Sequence, residues 1–236
     1  MQSLSPDEAF QFGCHRQVPC FNQCCRDLNQ FLMPYDILRL KRRLGLNSDV
    51  FLKRFTRQHL GPRSGLPIVT LVPGDPTSLT CPFVTADGCH VYEDRPCSCR
   101  TYPLVRMLSR SRVSGKDDES YLLLKEPHCR GFEQANRQTL SQWIDHQKIA
   151  AYNRFNDPML AIISLKNRRC SGPLDAASQH LFRLACYDLD SFRKAILGNC
   201  LPGAAVRGEN LIRAAESNDE TLLIESYRYI KKELFG

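Results

Sequence analysis

The 236-residue sequence lacks any apolar run long enough to span a bilayer. Its opening, Met1-Gln2-Ser3-Leu4-Ser5-Pro6-Asp7-Glu8, has neither the basic start nor the apolar stretch of a secretory signal. A cytoplasmic protein with no membrane partner is therefore expected. Also missing are a G-x-S-x-G elbow, a Walker A loop, a Rossmann glycine run, an H-E-x-x-H pair and a C-x3-C-x2-C spacing. Their absence counts against hydrolase, nucleotide-driven, zincin and standard radical chemistry. There is no internal repeat and no low-complexity tract. The net charge of +7 is spread among 25 acidic residues and comes without an arginine–aromatic recognition motif, so nucleic acid is disfavoured as a partner.

What the sequence does have is cysteine, 12 in all. A chain of this length buries a core without covalent staples. Cytosolic thiols stay reduced, and a dense cysteine pattern there points to metal binding or catalysis before disulfides. The first group is Cys14-x5-Cys20-x3-Cys24-Cys25. The second is Cys81-Pro82-x6-Cys89-x7-Cys97-Ser98-Cys99, followed by Cys129. Cys170, Cys186 and Cys200 are spaced too widely for a local chelate and read as structural thiols.

Thiolates on short loops converge readily on one ion or cluster, and soft sulfur selects zinc, iron–sulfur or cuprous ions over magnesium or calcium. Pro82 and Pro96 stiffen the ligand loops. Adjacent side chains diverge, so Cys24 and Cys25 can serve different centres or different sides of one. Arg95, Arg100 and Arg130 stand beside cysteines, where a cation donates to sulfur or offsets the anionic site. His15, His90 and His128 also neighbour cysteines and are candidates to replace a thiolate in a zinc site.

Pro34 to Gly45 reads as a short capped helix carrying Ile37, Leu40 and Leu44. Asn47-Ser48-Asp49 offers caps for a second helix with Val50, Phe51, Phe55 and Leu60. Leu66 to Val72 reads as a strand, and Leu104–Val113 with Tyr121–Lys125 as a hairpin around Ser114–Asp118. Beyond Phe132 the apolar spacing turns helical, through Leu140, Trp143 and Ile144, then Leu181, Leu184 and Ala185. A last helix opens at Ser217 with Glu220 at capping-box spacing. Loops are expected around Ser171-Gly172-Pro173 and Pro202-Gly203. The basic residues Arg39, Lys41, Arg42, Arg43, Lys53, Arg54 and Arg57 form either a patch for an acidic partner or the solvated faces of these two helices.

The elements Cys81-Pro82-Phe83, Gly88-Cys89-His90-Val91-Tyr92 and Arg95-Pro96-Cys97-Ser98-Cys99-Arg100-Thr101-Tyr102-Pro103, in that order, resemble the YkgJ-type cysteine-cluster family of zinc- or iron-chelating domains. Cys129-Arg130-Gly131 resembles its later cysteine–glycine element. The resemblance covers about the first 130 residues. The spacers before Cys20 and Cys24 are longer than in the family's CxxCxxCC-like run. It also implies that Cys99, rather than Cys97, holds the family's ligand position. A more distant similarity to flagellin lysine N-methylases implies that a cluster-dependent enzyme is an alternative.

The expected architecture is α+β. Residues 1–132 form a small cysteine-rich metal-binding core with short antiparallel strands, and 133–236 a mostly helical C-terminal region. Cys14, Cys20, Cys24, Cys25, Cys81, Cys89, Cys99 and Cys129 are the candidate ligands. The expected cofactor is an iron–sulfur cluster, with zinc as the alternative, because the irregular spacing and the Cys24-Cys25 pair lack the paired CxxC knuckles of structural zinc sites. The role expected is redox or electron transfer with a protein partner. The alternatives are an enzyme or a zinc-stabilised adaptor for protein or nucleic acid.

Overall fold

The computed structural model describes residues 2–26, 29–110, 117–170, 172–201 and 208–236. The chain begins with β1 (Gln2–Leu4), β2 (Ala9–Gln11), β3 (Phe31–Leu32), α1 (Pro34–Arg43), α2 (Ser48–Phe55), β4 (Thr56–Leu60) and β5 (Pro67–Leu71). There follow β6 (Val84–Thr85), β7 (Gly88–Cys89), α3 (Cys97–Thr101), β8 (Leu104–Arg110), β9 (Asp117–Leu123) and β10 (Arg137–Thr139). Helices complete it: α4 (Leu140–His146), α5 (Ile149–Arg169), α6 (Ala176–Cys186), α7 (Leu189–Leu197), α8 (Glu209–Glu216) and α9 (Asp219–Phe235). The fold is mixed α+β with a helical C-terminal region. No helix among the described residues is long and apolar enough to cross a membrane.

The chain forms two compact units from interleaved segments. One comprises residues up to 28 together with 74–150, and the other residues 29–73 together with 151–236. Residues 29–73 therefore leave the cysteine-bearing unit after its first group of thiols, and Gly74 re-enters it before the second.

In the cysteine-bearing unit β1, β9 and β8 make an antiparallel sheet with β9 in the centre, β2 pairs with β10, and β6 pairs with β7. Its core gathers Leu4, Phe10, Leu104, Tyr121, Leu123, Leu140 and Ile149 around Phe12 and Trp143. The Phe12 ring makes edge contacts with Trp143 at 5.6 Å and Tyr102 at 5.9 Å and lies tilted on Phe132 at 5.2 Å. Burying one such aromatic contributes about 2–3 kcal/mol. The indole N–H of Trp143 donates to the Thr101 carbonyl at 3.1 Å, so the core holds the end of α3, which carries Cys99.

In the other unit, Pro34 opens α1 and Gly45 follows its end at φ +64°, the left-handed conformation that glycine takes without strain. The expected second helix stops at Phe55. Thr56–Leu60 is the extended β4, so Leu60 is not on a helix. Pairing with β5, from Thr56 opposite Leu71 to Leu60 opposite Pro67, overrides the local helical pattern. β5 is the central strand between β3 and β4.

Further readings are corrected in this unit. Lys41 is buried and bonded to Asp190 at 2.7 Å and Asp219 at 3.1 Å, and Arg42 pairs with Asp219 and Glu220. Lys41 thus belongs to a buried network, while Arg42 pairs with acids of the same unit from an exposed position. The cap of α9 is Asn218, whose side chain accepts from the Thr221 amide at 2.8 Å, not Ser217. The expected hairpin forms as β8–β9, while Ser114-Gly115-Lys116 of its turn, Ser171 and Pro202-Gly203 lie outside the described residues.

Candidate metal centre

Three stretches of backbone bring the cysteines together. The loop from Cys14 to Cys25 passes through tight turns, Val18 to His15, Phe21 to Val18 and Gln23 to Cys20, with Asn22 at φ 65°. The β6–β7 hairpin delivers Cys89 opposite Val84, and its turn needs Gly88 at φ +117°. The loop side chains then grip that hairpin: Arg16 donates to the Asp87 carbonyl at 3.1 Å and Asn22 to the Thr85 carbonyl at 3.0 Å. The amide of Cys81 donates to the carbonyl of Cys25 at 2.8 Å, joining the two cysteine groups directly. At the far end, Gly13 donates to the Gly131 carbonyl at 3.0 Å, and the amide of Arg130 donates to the Cys20 sulfur at 3.1 Å.

All eight candidate ligands, Cys14, Cys20, Cys24, Cys25, Cys81, Cys89, Cys99 and Cys129, are free thiols in the same compact unit. Their electrostatics report the neighbourhood. Burial pushes the Cys14 thiol up to about 11, helped by the charges of Cys24, Cys20 and Cys129 and opposed by Arg95. Cys14 thus stands with the others despite its long spacer. The sulfurs of Cys24 and Cys25 lie 3.9 Å apart. This pair gives up one proton readily, lowering Cys24 to about 7 through its hydrogen bond with Cys25. The second proton is held on Cys25 by that same bond, by burial and by the charges of Cys24, Cys81 and Cys99. Burial also raises Cys81 and Cys89, although the amides of Phe83 and Val84 face the Cys81 sulfur and that of Val91 faces Cys89. Amides turned toward sulfur stabilise thiolate and tune the potential of any bound cluster.

The donor set fits a soft cation. Left as thiols, these groups oppose one another's ionisation, and a bound metal removes that penalty and takes up the displaced protons' role. Among the described residues no three cysteine, histidine, aspartate or glutamate side chains stand in position to hold a single ion. The sulfurs are gathered but not set on one point, so binding entails side-chain adjustment.

The arginines serve the site through backbone. Arg95 lies over the Tyr92 ring at 3.8 Å and donates to the Tyr92 carbonyl at 2.5 Å and to the Gln147 side chain. Burial lowers its pKa, while Tyr92, Cys99 and Cys89 pull the other way. Arg100 is 2% exposed and donates to the Gln147 and Glu93 carbonyls at 2.7 and 2.6 Å, anchoring α3. The Arg130 side chain turns to Glu133 at 2.8 Å, and it is its backbone that reaches sulfur. His15, His90 and His128 are exposed, and His128 stands 3.7 Å from Glu126. Cys97 approaches the Thr101 hydroxyl at 3.9 Å. Cys170, Cys186 and Cys200 belong to the other unit, Cys186 fully buried with its thiol pushed up by burial.

Two supporting residues escaped the sequence reading. Gln147 receives both Arg95 and Arg100 from just beyond α4, with no local signal to mark it. Tyr102, whose hydroxyl is buried without a hydrogen bond of normal geometry, has Cys129 and Glu126 as its electrostatic neighbours, and burial with the Cys129 sulfur raises its pKa. Its place in the Tyr102-Pro103 motif was the available clue.

Comparison with curated proteins and with solved structures gives no match. Residues 13–142, which contain the whole of this constellation, match a family of cysteine-cluster domains, and the chain belongs to that family, CxxCxxCC, described as "Putative zinc- or iron-chelating domain".

Proposed function

We propose that the cysteine-bearing unit holds an iron–sulfur cluster through thiolates drawn from Cys14, Cys20, Cys24, Cys25, Cys81, Cys89, Cys99 and Cys129, and that it exchanges electrons with a protein partner. The observation that carries this reading is the convergence of eight free thiols from three separated stretches on one small unit. A cluster would supply one-electron chemistry, and the amides facing Cys20, Cys81 and Cys89, together with Arg95, would set its potential.

Zinc is the second reading, favoured by one distance. Four thiolates about 2.3 Å from zinc stand roughly 3.8 Å from one another, close to the 3.9 Å between Cys24 and Cys25. Anaerobic purification followed by iron, zinc and acid-labile sulfide analysis with a visible spectrum separates the two. A brown protein with iron and sulfide in equal amounts supports the cluster, and the iron count per chain gives the number of centres. A colourless protein with stoichiometric zinc and no sulfide overturns it.

A further inference from the structure

We propose that the outer edge of β4 is a docking site for an extended acidic segment of a partner protein, which adds to the sheet as a further strand. β4 is the edge strand of the sheet β3-β5-β4. Its open side follows from the register. The Val72 amide donates to the Phe55 carbonyl at 2.9 Å and the Leu71 amide to Gln30 on the opposite side, also at 2.9 Å. Hydrogen-bonded pairs recur every second residue in an antiparallel ladder. Arg57 and His59 therefore spend their backbone groups on Thr70 and Ile68, and the N–H and C=O of Gln58 and Leu60 point away from the sheet. Residues 57–60 are all exposed.

The side chains offer alternating pockets for a strand lying there. Thr56 and Gln58 line a cleft of about 350 Å³ with Leu52 and Val69, where Lys53 and Arg183 are balanced by Asp49 and Asp188, so acidic side chains of a partner are met on the opposite face. On the other face lie Arg57 and His59, and the His59 ring stands 6.3 Å from that of Phe31, which is 51% exposed. Main-chain bonds with alternate side-chain pockets are how a sheet edge takes an extended peptide.

Charge selects the occupant. Residues 29–73 carry eight basic side chains against two acidic ones, Asp36 and Asp49. Asp36 is buried and accepts from the Met33 amide at 2.8 Å. Lys41 and Arg42 pair with acids of the same unit, and Lys53 and Arg57, both exposed, flank the edge. A second copy of this edge would set like charges against one another. Nucleic acid has no ladder to offer Gln58 and Leu60.

The test is amide NMR on the full chain with a short peptide of alternating valine and glutamate, its valine–lysine counterpart, duplex DNA and anionic vesicles. The glutamate peptide is expected to shift the Gln58 and Leu60 amides and slow their exchange, and the lysine peptide to leave them unchanged. Gln58→Pro loses only an outward N–H, which an edge strand tolerates, and should weaken binding about tenfold or more. Arg57→Glu should do the same without touching the backbone. Equal response to both peptides, a stronger response at these amides to DNA or vesicles, or binding by both variants as tight as by the parent would overturn the proposal.

Discussion

The backbone amide of Arg130 donates to the sulfur of Cys20 at 3.1 Å across 110 positions of sequence. It closes the constellation at one end, as the Cys81 amide does at the other by reaching the Cys25 carbonyl at 2.8 Å. The first has a backbone donor and the Cys20 side chain as acceptor, and the second is wholly backbone, so both survive replacement of any cysteine side chain but that of Cys20. Ligand substitutions should therefore report on metal rather than on folding.

Cys81→Ser and Cys129→Ser are accordingly expected to lower bound metal per chain to about half or less, with the far-ultraviolet dichroism unchanged. Cys97→Ser and Cys186→Ala should keep the parent's metal content. Elemental analysis of the four variants decides this. Metal loss in Cys186→Ala equal to that in Cys81→Ser would break the assignment of the site to one unit.

Gly131 has no room for a side chain. A methyl group there would lie 2.5 Å from the Phe12 ring and 2.9 Å from the Gly13 carbonyl. Gly131→Ala should therefore cost about 1–3 kcal/mol by overpacking and push apart the contact that holds Arg130 against Cys20. Thermal unfolding and metal retention should fall together. Retention of full metal despite the lost stability would show that the 3.1 Å bond is dispensable.

Much of this was readable in the sequence because it is local. Pro34 and Gly45 bracket α1, the β-branched run through Ile68 and Val69 is β5, and the eight ligand candidates share a unit. What was not legible depends on partners distant in sequence. Thr56–Leu60 follows a helix and continues its apolar spacing, but β5 captures it as a strand. Glu220, at capping-box distance from Ser217, pairs instead with Arg42, 178 positions away. Gln147 supports Arg95 and Arg100 from 52 and 47 positions further along the chain, a separation that no local pattern reveals.

Arg100 tests whether the frame around α3 matters. Its guanidinium is buried and donates to two main-chain carbonyls, Gln147 and Glu93. Arg100→Met keeps much of the volume but leaves both carbonyls without their charged donor. A loss of about 2–4 kcal/mol is expected, measured by urea unfolding. Arg100→Lys should recover only part of it, since one ammonium cannot span both carbonyls as the planar fork does.

Lys41 and Asp219 set the acid sensitivity of the other unit. Lys41 sits buried between Asp190 and Asp219, so Lys41→Met leaves two carboxylates short of a partner and should cost about 3 kcal/mol at neutral pH. Burial alone would raise Asp219, but Lys41, Arg193 and Arg42 outweigh it and hold its pKa below the ordinary 3.8. Arg42 likewise outweighs burial and holds Glu220 below 4.5. Groups with folded pKa values depressed in this way stabilise fully above their unfolded values, and that stability drains as pH falls through the folded ones. The urea midpoint should thus be level above about pH 5 and drop below about pH 4. Asp219→Asn should start lower at neutral pH and fall less steeply in acid, because the proton-linked part of its contribution has already been removed. A parallel fall in parent and variant would show that Asp219 is not the group responsible.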